Sequence, residues 1–179
     1  MDEDTKTILK IQRHQSKRAA DLLVRKYYQE IYAYIYRQIS NKADSLDLTQ
    51  EIFISALQTI IYYDPEKSTF RTWLYRIATN KVIDFRRKYK PVILSVDEIE
   101  IEDTTDYTLQ FRHSQLLKQI DDYVSGFDDK SQMIFRLHIY DDQTFKEIAE
   151  ITEMPEASVK TKFYRLQKHI REEFKDYEI

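Results

Sequence analysis

Cysteine is absent from all 179 residues. That excludes disulfide frameworks and thiolate zinc sites, and it fits a reducing cytoplasm. Glycine occurs once and proline three times. Hairpin-rich folds and parallel sheets need both at their turns, so an all-β or α/β architecture is disfavoured. A single glycine also rules out a glycine-rich phosphate loop. No apolar run approaches the roughly 18 residues of a membrane span. The acidic opening Met1-Asp2-Glu3-Asp4 is the reverse of the basic start of a signal peptide. The expectation is a cytoplasmic protein with no membrane insertion. The four histidines, His14, His113, His138 and His169, are scattered without metal-ligand spacing. Asp128-Asp129 and Asp141-Asp142 read as cap and loop carboxylates rather than a catalytic dyad. The chain is therefore expected to be no enzyme, with no metal, no cofactor and no small-molecule substrate.

The net charge of -3 is at first sight wrong for a nucleic-acid binder, but it averages unlike segments. Residues 1–91 carry 17 basic and 11 acidic side chains, residues 92–125 carry 2 and 8, and residues 126–179 carry 9 and 12. Within the last segment, 156–171 holds five basic residues and one acidic. Basic patches separated by an acidic stretch suit a nucleic-acid partner.

Apolar spacings of three and four dominate, so the chain reads as all-α. Helix is predicted over 5–40 with a pause at Ser16, then from about Leu46 to Tyr62 and from about Thr69 to Lys88. Asp64-Pro65-Glu66-Lys67-Ser68 is a turn, because proline disfavours a helical residue before it. Pro91 closes this first helical domain, 1–91. Residues 92–108 carry Asp97, Glu98, Glu100, Glu102, Asp103 and Asp106 with no helical stripe, and read as an extended acidic linker, with a plain tether as the alternative. A second helical domain, 109–179, follows. Its first helix stops at Ser125-Gly126, and helices come next at about 129–139, 145–152 and 156–175.

The clearest local signature is a helix-turn-helix near the end. Thr144-Phe145-Lys146-Glu147 has the form of a capping box. Ile148, Ala149 and Ile151 follow as a buried face, Thr152-Glu153-Met154 turns the chain, and Pro155 suits the start of the next helix. That helix buries Val159, Phe163, Leu166 and Ile170, leaving Lys160, Thr161, Tyr164, Arg165 and Lys168 for a major groove. The same pattern also describes an ordinary helical hairpin with a solvated basic face.

In the first domain, Leu48, Ile52, Phe53, Ala56, Leu57 and Ile60 form a buried stripe, while Asp47, Gln50, Glu51, Ile54 and Gln58 share the opposite face. An isoleucine inside a polar stripe suggests a partner surface, although a single exposed apolar residue is also common. In the next helix Phe70, Trp73, Leu74, Ile77, Ala78 and Phe85 are the expected core, and Thr72, Arg76, Asn80, Ile83 and Arg87 the other face. Aromatics and cations around a short loop can hold single-stranded DNA by stacking and phosphate pairing, with an amide such as Asn80 bonding a flipped base. A solvated basic face over an aromatic core fits as well.

Three motifs resemble one family. Asp47-Leu48-Thr49-Gln50-Glu51-Ile52-Phe53 is similar to region 2.2 of bacterial sigma factors, Phe70 to Asn80 (F-x-x-W-L-x-x-I-A-x-N) to regions 2.3 and 2.4, and Glu147-Ile148-Ala149 with Val159 to Arg165 to region 4.2. Their order and span resemble the extracytoplasmic-function (ECF, group 4) sigma factors of the sigma-70 family, which keep only domains 2 and 4. The resemblance implies a factor that directs promoter-specific transcription initiation. It implies that Asp47, Gln50, Glu51 and Ile54 bind the clamp helices of the largest subunit of core RNA polymerase, with domain 4 meeting the flap. It implies that Lys67, Ser68, Thr69, Phe70, Arg71, Trp73, Arg76, Asn80 and Arg87 contact the -10 element and capture an unstacked base. Lys160, Thr161, Tyr164, Arg165 and Lys168 would read the -35 duplex, and the linker would thread toward the RNA exit path. An anti-sigma factor is an implied partner. Where many members have Gly before Thr-Val, this chain has Ala157-Ser158-Val159, and Glu156 adds a negative charge at the helix start. The alternative reading is a stand-alone helix-turn-helix regulator whose front domain senses or dimerises.

Overall fold

The computed structural model describes residues 2–88 and 107–175, with the side chains of 107–115 left out. The linker expected at 92–108 lies outside the described residues except for Tyr107 and Thr108. Among the described residues the secondary structure is helical throughout: α1 (Glu3–His14), α2 (Lys17–Ile39), α3 (Lys42–Thr59) with a 3-10 turn at Ile60–Tyr62, α4 (Phe70–Lys88), α5 (Tyr107–Val124), α6 (Asp129–Ile139), α7 (Phe145–Thr152) and α8 (Glu156–Glu173). The chain divides into two compact units, 1–97 with 149–153, and 98–148 with 154–179.

Caps set the helix starts. Asp2, Ser16, Asn41 and Asp128 each accept a bond from the amide three residues on, at 2.7, 3.3, 3.0 and 3.2 Å. The pause at Ser16 is thus a full break, with Gln15 in the left-handed region at φ 49°. Scarcity of glycine has a structural consequence here. Gln15, Ser40, Asp142 and Glu153 all take positive φ, each at a cost of about 1 kcal/mol that glycine would avoid. Gly126 is not among them: the turn after α5 is held by Gln132, whose Nε2 donates to the Ser125 and Phe127 carbonyls at 3.0 and 2.8 Å.

In the first unit α2 packs on α1, α3 and α4, and α3 packs on α4. Ile31, Ile35, Ile52, Leu74 and Ala78 are completely buried at its centre. The expected α3 stripe is buried apart from Leu57, which is half-buried. The expected α4 core needs correction. Trp73, Ile77 and Phe85 are only half-buried, while Thr72, Tyr75, Thr79 and Val82 are buried. Helix α4 lies against both α2 and α3, so its buried arc is wider than one stripe. Its polar members are satisfied: Tyr34 and Thr79 share a 2.8 Å hydrogen bond, the Tyr75 hydroxyl donates to Glu30 at 3.1 Å, and the Thr72 and Thr69 hydroxyls share one at 2.9 Å.

In the second unit α8 packs on α6 and α5. A polar knot ties α6 to the end of α5, with the buried Arg136 donating to Asp121 at 3.3 Å and to the Gln132 side chain at 3.4 Å. Asp128 both caps α6 and pairs with Lys162 of α8 at 3.2 Å. Partial burial raises its pKa, but the Ser131 hydroxyl, Lys162 and the Ser131 amide outweigh that and hold it below the usual carboxylate range. A group with a depressed folded pKa adds stability above its unfolded value and loses it as pH falls through the folded one. Asp128→Ala is therefore expected to cost about 1 kcal/mol at neutral pH, with the gap from the parent closing below about pH 4. Urea unfolding at pH 7 and pH 3 checks this.

Gln143 is 1% exposed, and neither end of its side-chain amide meets a hydrogen-bonding group of the described residues. A buried unsatisfied amide costs about 1–3 kcal/mol. Gln143→Leu, which has similar volume and no polar atom, is expected to raise the thermal midpoint of the second unit. An unchanged or lowered midpoint would mean that the amide is satisfied.

Candidate promoter and polymerase interfaces

Helix α3 presents one continuous outer face. Asp47, Gln50, Glu51, Ile54 and Gln58 are all exposed, and Ile54 is 57% exposed. Glu51 sits 3.5 Å from Lys81 of α4, a loose pair that leaves its carboxylate available. The face continues beyond α3. Ile61 and Tyr62, seven and eight residues after Ile54, are 60% and 78% exposed. The sequence reading missed these two, although the same three-and-four spacing would have found them.

The turn between Tyr63 and Phe70 is held at both ends. The Tyr63 hydroxyl donates to the Ser68 carbonyl at 3.0 Å, and its phenol is pushed up to about 12 by burial and then by Asp2, Asp4 and Asp64, so it remains a donor. Asp64 accepts from the Glu66 amide at 3.0 Å and faces Lys67 at 3.5 Å. From α1, Gln12 donates to the carbonyls of Ile60 and Tyr63 at 2.8 and 3.1 Å. The loop is thus pinned by groups about fifty residues apart in sequence, and it presents Lys67 and Thr69 to solvent with Ser68 half-buried.

Phe70 stands apart from the other residues expected at the -10 element. It is 4% exposed and packs against Tyr27, Tyr63 and Trp73 with ring centroids 5.4, 5.7 and 5.6 Å away. As a core ring it cannot stack on a base, and it serves to hold Trp73. Arg71 is engaged with Glu30 and lies 5.2 Å over the Tyr75 ring. Thr69 uses its hydroxyl to cap α4. What remains is a line on α4: half-buried Trp73 at the loop, then exposed Arg76, Asn80, Ile83 and Arg87 at helical spacing. Arg87 pairs only loosely with Asp84, at 3.6 Å on the surface.

The capping box forms as the sequence suggested. The Glu147 amide donates to the Thr144 hydroxyl at 3.2 Å, and the Glu147 carboxylate accepts from the Thr144 amide at 2.8 Å. Phe145 stacks on His138 at 4.4 Å and meets Phe163 at 5.3 Å, fixing the entry of α7 against α6 and α8. His138 donates from Nδ1 to the Gln143 carbonyl at 2.8 Å, a structural use that fits its isolation in sequence. On α8, Val159, Phe163 and Leu166 are buried, while Lys160, Thr161, Tyr164, Arg165 and Lys168 are exposed together on the other side. Lys160 is held by Glu156 at 2.7 Å and Lys168 by Glu172 at 3.7 Å.

A loop-and-helix line of aromatic, cation and amide on α4, together with a helix-turn-helix formed by α7 and α8, fits a promoter-binding class of protein. Comparison with known proteins agrees. The family Sigma-70 region 2 matches residues 23–91, and Sigma-70, region 4 matches 117–170. The ECF RNA polymerase sigma factor SigW of Bacillus subtilis is 32% identical over 161 residues, covering 84% of this chain and 86% of that one. RNA polymerase sigma factor YlaC of the same organism is 30% identical over 156 residues, covering 83% and 88%. In fold, the chain is similar to CnrH, solved with the cytosolic domain of CnrY, with a TM-score of 0.73, 18% identity and coverage of 99% and 100%. It is also similar to RpoE of Bartonella quintana, solved with the anti-sigma factor NepR, at a TM-score of 0.68, 15% identity and coverage of 87% and 96%. The chain belongs to the ECF RNA polymerase sigma factors. Its role is that of a DNA-binding sigma factor in transcription initiation. No helix among the described residues is long and apolar enough to cross a membrane.

Proposed function

We propose that the chain divides its work between domain 2 at 1–91 and domain 4 at 109–179, joined by the acidic linker 92–108, and that it acts by binding alone, without catalysis, in the cytoplasm. Asp47, Gln50, Glu51 and Ile54 dock on the clamp helices of the largest polymerase subunit, and domain 4 meets the flap. Lys160, Thr161, Tyr164, Arg165 and Lys168 hold the -35 duplex. Lys67, Ser68 and Thr69 line the mouth of a pocket in which Trp73, Arg76 and Asn80 receive a base extruded from the -10 element, with Arg87 on the adjoining phosphate and Arg71 and Phe70 bracing the helix from behind. The observation that carries this reading is the line of half-buried Trp73 and exposed Arg76 and Asn80 beside a pinned loop. A ring edge, a cation and an amide in sequence are what stacking, phosphate pairing and base-edge bonding require. Unstacking a base costs a few kcal/mol, offset by those contacts. Because RpoE of Bartonella quintana, similar in fold, was solved with the anti-sigma factor NepR, an anti-sigma factor is proposed here too.

Gel shifts on candidate promoter DNA, with and without core polymerase, separate this reading from a stand-alone regulator. The expected outcome is a specific complex only when core polymerase is present. Specific duplex binding by the chain alone, unaffected by polymerase, would replace the proposal with the regulator.

A further inference from the structure

Glu156 is the residue that fits worst on a DNA-reading helix. It is the first residue of α8 and is exposed, where a carboxylate would face phosphate. It is not spent on capping, because the start of α8 is Pro155 with no side-chain cap bond. Its carboxylate instead holds the Lys160 ammonium at 2.7 Å, one turn on and on the same face. Lys160 is flanked on its other side by Phe145, with the ammonium 6.0 Å from the ring centroid. The two opposite charges are therefore set side by side at the N-terminal end of the helix, the end whose residues reach base edges when a helix-turn-helix docks.

We propose that Glu156 and Lys160 act as one base-pair reader in the -35 element, Glu156 accepting from the N4 amine of a cytosine and Lys160 donating to O6 and N7 of its paired guanine. The inference rests on the placement of α8 in the major groove given above. A C·G pair offers an amino donor on one edge and two acceptors on the other, the complement of a carboxylate beside an ammonium. A·T offers adenine N6 as a donor but places its two acceptors, adenine N7 and thymine O4, on either side of that amine and adds the thymine methyl, so no adjacent pair of acceptors is left for Lys160. Each charge also keeps its neighbour in the complex, so neither meets the bases or phosphates uncompensated. Glu156 keeps Lys160 protonated, its amine held above the usual lysine value first by the hydrogen bond and then by the charge. The pair Lys168–Glu172, looser at 3.7 Å, lies about three turns further along and is not part of this reader.

The test uses the full chain with core polymerase on a promoter library randomised through the -35 element. The parent is expected to demand C·G at one position. Glu156→Ala should relax that position alone by about tenfold. Lys160→Ala should relax the same position, and the double variant should lose no more than either single change, as expected of two residues acting as a unit. Glu156→Gln, which keeps an accepting oxygen, should retain part of the preference. If Glu156→Ala strengthens all sequences alike, the carboxylate is an electrostatic brake and the proposal fails. It fails equally if the preference is untouched while Arg165→Ala still weakens -35 use. Should Arg165→Ala and Lys160→Ala also leave -35 use unchanged, the placement of α8 itself is wrong.

Discussion

Asn80→Ala is expected to leave the chain folded and bound to core polymerase while cutting open-complex formation by about tenfold or more. Asn80 is exposed, so its loss removes no core packing. Its amide is the one group on the α4 line that can both donate to and accept from a base edge. A flipped base that loses such a bond loses about 1–3 kcal/mol, and the cost of unstacking is then no longer offset. Permanganate footprinting of the -10 region would show the loss directly. Asn80→Asp separates the two halves of the role. It keeps the accepting oxygens and adds a charge beside DNA, so it should be at least as damaging as alanine. Strand opening at the parent rate in both variants would remove Asn80 from the pocket.

The second large effect is expected at Ile54. A charge placed there should weaken the complex with core polymerase strongly while leaving the fold unchanged. Ile54 is 57% exposed and packs no core, yet Asp47, Gln50 and Glu51 surround it on the same face. A central apolar anchor with a polar rim is the arrangement in which one truncation or charge costs about 2–4 kcal/mol of binding. Ile54→Glu is thus expected to weaken the complex by roughly 30-fold to 1,000-fold. Fluorescence anisotropy with labelled chain and core enzyme would measure it. Circular dichroism should be unchanged, because no buried contact is lost. Tyr62, 78% exposed on the extension of that face, marks how far the surface reaches. Tyr62→Ala weakening core binding would place it within the polymerase contact.

Local signals in the sequence located the helices well. The stretches 129–139 and 145–152 coincide with α6 and α7, because Asp128 and Thr144 cap them by bonds spanning only three residues. The outer face of α3 and the exposed basic face of α8 were legible for the same reason: a solvent face needs only the 3.6-residue period. What could not be read was set by distant partners. Thr79 and Tyr75 look like surface residues until Tyr34 and Glu30, 45 residues away, satisfy them. Phe70 was legible as a core ring, and its enclosure by Tyr27 and Tyr63 sets it apart from the -10 contact that the resemblance implies. The brace from Gln12 to the carbonyls of Ile60 and Tyr63 has no local pattern. The start of α3 was misread: it was expected near Leu46, but the Asn41 cap sets it at Lys42. The resemblance supplied roles for residues whose positions alone would have left the binding partner open.

Runoff transcription with purified core polymerase, followed by mapping of start sites, tests the central claim most directly. The account predicts discrete start sites that appear only when this chain is added, each preceded by shared -10 and -35 sequences, and lost with Asn80→Ala. Transcripts independent of the chain, or specific DNA binding by the chain with no polymerase-dependent start site, would contradict it.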